Sequence, residues 1–141
     1  MKWDFKDIGR FGFKIGYSLE PAWFTLWRDA EDYRLVLFYI DEDEEVVNTT
    51  EHVPFEVGDP IIAEAIDNGH VESWDEDYNL SDDELGDDPF TWSLDLADTD
   101  AKILLMSHGM GGFPKMEDFQ AVLTAVRKAC PDFGKNFEEI N

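Results

Sequence analysis

Ala22-Trp23-Phe24-Thr25-Leu26-Trp27-Arg28 and Tyr33-Arg34-Leu35-Val36-Leu37-Phe38-Tyr39-Ile40 are the two runs that decide the fold. Both are rich in aromatic and branched side chains, which fit a pleated, half-buried surface. The polar stretch Asp29-Ala30-Glu31-Asp32 separates them at the spacing of a β-hairpin. Towards the N-terminus, residues 11–16 alternate and end in glycine, as a further short strand would. Towards the C-terminus come five consecutive carboxylates, Asp41-Glu42-Asp43-Glu44-Glu45. Such a run repels itself too strongly for a strand interior and reads as an exposed turn.

Residues 46–57 have room for one more strand before Gly58. Asp59 as N-cap and Pro60 as first helical residue then open an expected helix at 59–68. Ile61, Ile62, Ala65 and Ile66 form its apolar face, and Asn68-Gly69 close it. Residues 72–88 carry nine acids and no base and read as a long acidic loop. One helical turn is expected there after Ser81, whose spacing to Glu84 fits a capping box. Residues 90–96 alternate as a strand, Asp98-Thr99-Asp100 turns the chain, and residues 102–107 read as a buried strand. Residues 109–114 form an expected flexible glycine link into a helix at 115–130. Met116, Phe119, Val122, Leu123, Val126 and Cys130 share one face of that helix, and Pro131 stops it. The order predicts an α+β fold in a single domain, 1–141: an antiparallel β-sheet packed on one side by helices 59–68 and 115–130.

The charge is as uneven as the fold is regular. Eleven Lys/Arg face 33 Asp/Glu, for a formal charge of −22 at pH 7. No lysine or arginine lies between Arg34 and Lys102, and the acids of residues 35–101 account for the whole net charge. A field of this kind steers cationic partners and repels nucleic acid and anionic membrane. A salt-adapted proteome would instead spread acids over the whole surface and deplete lysine throughout. With aromatics at 14% and hydrophobic residues at 43%, an acidic disordered tail is excluded. The longest apolar run, residues 35–40, is far too short to span a membrane. Nothing after Met1 resembles a signal peptide, and the single Cys130 has no internal disulfide partner, so the cytoplasm is the expected compartment.

Chemical motifs fail on inspection. A calcium loop starting at Asp75 would place Leu80 where glycine is needed and Gly86 where a bidentate glutamate is needed. Ser107-His108-Gly109 has Leu105 in place of the first glycine of a nucleophile elbow. His52, His70 and His108 are scattered without a zinc spacing, and Gly9, Gly12 and Gly16 do not match a dinucleotide fingerprint. No catalytic residue, metal or cofactor is expected.

The candidate site is therefore a binding surface. Its first segment is Asp41, Glu42, Asp43, Glu44 and Glu45; its second is Trp74, Asp75, Glu76, Asp77, Tyr78, Asp82, Asp83 and Glu84. Aromatic anchors supply most interface energy while rim charges set on-rate and specificity, so carboxylates around Trp74 and Tyr78 suit a partner rich in Lys and Arg. The expected function is an acidic binding inhibitor of a basic protein, the role that bacterial immunity proteins play against nuclease toxins. A DNA mimic that occupies DNA-binding proteins is the alternative, followed by a small enzyme using paired carboxylates. Direct binding of nucleic acid or membrane is not expected.

Overall fold

The computed structural model describes residues 3–141. Six strands, β1 (Ile8–Tyr17), β2 (Glu20–Arg28), β3 (Tyr33–Ile40), β4 (Val46–Val53), β5 (Thr91–Asp98) and β6 (Ile103–Met110), form one sheet in the order β4-β3-β2-β1-β5-β6. Every neighbouring pair is antiparallel. Helices α1 (Phe55–Asn68) and α2 (Met116–Val126) pack against one face, so the class is α+β. The hairpin at the centre of the sequence argument pairs Trp23 with Phe38 and Arg28 with Tyr33.

Strand alternation divides the side chains between two environments. Phe11, Phe13 and Ile15, then Phe24, Leu26, Leu35, Leu94 and Leu96, face the helices and are buried. They meet Ile62 and Ile66 of α1 and Phe119, Val122 and Leu123 of α2 in one core. Residues of the other parity, among them Arg10, Lys14, Trp23, Trp27, Arg34 and Phe38, lie on the face that the helices leave open.

The first helix begins at Phe55, not at Asp59. Gly58 reads as a boundary in the sequence, but it lies within α1 because Tyr33 packs against its bare Cα. A Cβ there would meet Tyr33 Cδ2 at 2.2 Å. Asp59 does not cap the helix either. Its Oδ1 accepts from the Tyr33 hydroxyl at 2.6 Å and from the Arg28 guanidinium at 3.0 Å, tying α1 to β2 and β3. Burial, then the bond to Asp59, holds the Tyr33 hydroxyl well above the ordinary phenol range, so it remains a donor. Pro60 lies inside the helix, where its nitrogen has no proton to donate to the preceding turn.

Three further expectations change. The second helix ends at Val126 rather than residue 130; Arg127 turns away, and its Nε donates to the Phe133 carbonyl at 2.8 Å. β6 is an edge strand rather than a buried one, with Ile103 47% and Met106 57% exposed. The glycine link is packed rather than loose: Gly109 belongs to β6, and the Trp92 indole donates to the Gly112 carbonyl at 2.8 Å. A Cβ on Gly109 would meet that indole nitrogen at 2.3 Å.

Candidate functional site

Residues 75–80 are not a free loop. They run along the outer edge of β6, with Asp77 paired in parallel to His108. His108 N–H donates to the Glu76 carbonyl at 3.0 Å, and its carbonyl accepts from Tyr78 N–H at 2.9 Å. Leu80 N–H reaches the Met110 carbonyl at 2.9 Å, and the Ser107 hydroxyl donates to the Asp75 carbonyl at 2.6 Å. The strap thus satisfies part of an apolar sheet edge that would otherwise template aggregation. It leaves the side chains of Asp75, Glu76 and Asp77 exposed. Downstream, Asp82–Glu84 forms the expected helical turn as a 3₁₀ helix. Glu84 accepts from the Ser81 hydroxyl at 2.8 Å and from its N–H at 3.4 Å.

The two aromatics of the strap turn inward. Trp74 is 8% exposed, its indole donates to the Gly69 carbonyl at 2.8 Å, and its ring stacks on Phe119 at 6.2 Å. It also meets Trp92 edge-on at 5.4 Å. Trp74 is thus a core residue rather than a free anchor. In a segment dense with carboxylates, it is the largest apolar group available to hold the chain down. Tyr78 is half-buried, its ring 5.8 Å from Trp92, and its hydroxyl accepts from the Asp75 N–H at 2.8 Å.

Residues 41–45 form the exposed turn between β3 and β4. Asp41 Oδ1 shapes it by accepting from the N–H groups of Asp43 and Glu45, both at 2.9 Å. Glu44 takes a left-handed conformation, φ 61°. This turn and the β6 strap lie towards opposite edges of the sheet. At about 4.8 Å per strand they are on the order of 20 Å apart, so the two acidic segments do not merge into one patch.

Five ion pairs occur among the described residues: Arg10–Asp95, Arg28–Asp59, His52–Asp32, His70–Asp118 and Lys128–Glu64. None uses a carboxylate of residues 41–45, 75–77 or 82–84. Nor do three or more His, Cys, Asp or Glu converge among the described residues into a group that could hold a metal ion. The fold therefore exposes these charges without neutralising them. Added NaCl should raise the melting temperature, because screening relieves repulsion among carboxylates held in no ion pair. A thermal scan in which the temperature falls steadily with salt would contradict this.

A third feature escaped the sequence. The C-terminal end of α1, the turn at Val71–Ser73 and the N-terminus of α2 enclose an open cleft of about 580 Å³. Asp67, Glu72, Glu117 and Asp118 line it, together with His70, Lys115 and the edges of Trp74 and Tyr78. Asp118 is nearly buried and meets His70 Nδ1 at 2.8 Å. His70 holds φ 49°, a conformation that favours glycine. The preceding Gly69 is used instead for close packing, since a Cβ there would meet the Ala65 carbonyl at 2.5 Å and Val122 at 2.7 Å. Four carboxylates against Lys115 and His70 make the cleft acidic. Only tertiary packing brings Asp67 and Glu117 together, so no spacing in the chain announces it.

Comparison with protein-family models, curated proteins and solved structures finds no match. The functional reading rests on the chain's own residues. Among the described residues no helix is long and apolar enough to cross a membrane.

Proposed function

We propose that this protein is a binding inhibitor of a basic protein, most simply a nuclease toxin whose cationic substrate groove it occupies. The observation that carries the reading is the set of exposed carboxylates at 42–45, 75–77 and 82–84 that enter no ion pair. Self-repulsion makes such a surface costly to the fold, and a cationic partner relieves that cost on binding. A nuclease groove is cationic because it holds phosphates, and a protective inhibitor must associate fast, which electrostatic steering provides.

The acidic cleft adds a socket for a single basic side chain at one end of this surface. The proposed role is occlusion rather than catalysis. An array of nuclease toxin domains, unrelated DNA-binding proteins and neutral controls tests it. Retention of a nuclease with loss of its activity is the expected result. Equal retention of many DNA-binding proteins would assign DNA mimicry instead, and retention of none of the basic proteins would remove the reading.

A further inference from the structure

The open face of the sheet departs from the acidic character of the rest. Register places Trp27 between Arg10 and Arg34, and Trp23 between Lys14 and Phe38. The guanidinium carbons of Arg10 and Arg34 lie 5.4 and 5.7 Å from a Trp27 ring centroid. Lys14 Nζ lies 5.5 Å from a Trp23 ring, whose other neighbour, Phe38, is 4.9 Å away. Arg10 is paired with Asp95 at 2.7 Å. Lys14 and Arg34 form no ion pair among the described residues, although the chain has 33 acids for 11 bases. What sets Arg34 and Lys14 apart is that both are exposed and lie over an indole ring, so their charges are presented on an aromatic platform.

Apart from Asp95, which lies on this face paired with Arg10, the acids stand around that platform. Asp29, Glu31 and Asp32 lie in the turn at one end of the strands, with Asp98 and Asp100 at the same end. Residues 41–45 lie at the other end, and the strap runs outside β6. The centre is aromatic, with Trp23 40% exposed, and a hollow of about 460 Å³ opens beside Lys14, Trp23, Ser93, His108 and Met110. Tryptophan and arginine are the commonest interface hot spots, and acids are depleted from interface centres. A guanidinium stacked on an indole is already oriented to receive a carboxylate in its plane.

We infer that this face is the contact centre for the basic partner proposed above, on which reading the inference rests. The partner presents carboxylates at the middle of a basic patch; Arg34 and Lys14 receive them while the acidic rim receives the surrounding Lys and Arg. A second copy is the wrong occupant, because two chains of −22 repel. Nucleic acid is disfavoured because its phosphates must cross the rim.

Heteronuclear NMR of the isotope-labelled protein tests this with three probes: a short Lys-rich peptide with a central Asp-Asp, the same peptide with Ala-Ala, and a single-stranded DNA octamer. The Asp-Asp peptide should shift the indole N–H signals of Trp23 and Trp27 as well as the amides of residues 41–45. It should bind about two- to fivefold tighter than the Ala-Ala peptide, the size of an exposed ion pair, and Arg34→Glu should abolish that preference. Arg34 is exposed, so unchanged core resonances will verify that this variant folds. Indoles that stay still while residues 41–45 respond would overturn the inference and leave the inhibitor reading intact. Acidic turns that ignore both peptides would overturn both. Indoles that move with DNA alone would give the face to nucleic acid.

Discussion

Trp74→Ala should cost about 3–5 kcal/mol in folding stability, the usual range for truncating a fully packed aromatic. The indole bonds the Gly69 carbonyl at the end of α1, stacks on Phe119 of α2 and meets Trp92 of β5. One side chain therefore joins both helices to the sheet and fixes the start of the strap. Its loss opens a cavity among residues that cannot collapse, and it strips a buried carbonyl of its donor. The strap should then detach from β6, so amide exchange at Tyr78 and Leu80 should rise well above that of the β1–β2 pair. Per folded molecule, affinity for a basic partner should change far less than stability. Denaturant melts and binding titrations on the same preparation read both quantities. A loss of affinity at unchanged stability would make Trp74 a contact residue after all.

Trp74 also shows where sequence reading runs out. Its spacing from Tyr78 fixes that the two rings can act together, but not whether they point to solvent or to the core. That choice is made by Phe119 and Trp92, far away in the chain. The central hairpin was legible because its signal is local: two apolar runs and a polar turn. The capping box at Ser81 and Glu84 was legible for the same reason. Gly58 and Asp59 misled because both have local meanings, breaker and cap, that tertiary contacts override. Tyr33 needs the missing Cβ of one and the carboxylate of the other.

The edge position of β6 was hidden because the strap covers part of its outer side, allowing an apolar strand to lie at a margin. The open face was half legible. Alternation alone puts Trp23 and Trp27 opposite Phe24 and Leu26, and Arg34 opposite Leu35. Those aromatics read as strand formers, and alternation alone does not say which of the two faces the helices cover. The pairing of Arg10 and Arg34 with Trp27, and of Lys14 with Trp23, depends on strand register, which no local spacing in the chain states.

Association with a basic partner should slow by one to three decades, about 10- to 1,000-fold, between low and high ionic strength, with dissociation changing far less. The geometry makes the form of that dependence specific. The β3–β4 turn and the β6 strap are on the order of 20 Å apart, beyond the Debye length of about 8 Å at physiological salt but within the 30 Å reached at low salt. At low salt the two edges act as one field and orient an approaching partner over the sheet between them. At physiological salt each acts alone, and the partner is drawn to either edge without being centred. Two variants separate these regimes: neutralising Glu42, Asp43, Glu44 and Glu45, or neutralising Asp75, Glu76 and Asp77. At physiological salt each should slow association by its own factor, and the combined variant by their product. At low salt either one alone should already remove most of the steering, because a one-sided field no longer points at the centre. Stopped-flow association across a salt series reads both regimes. A kon that is flat with salt in the parent chain would remove the steering argument, and a dependence carried wholly by one edge would confine the contact to that edge.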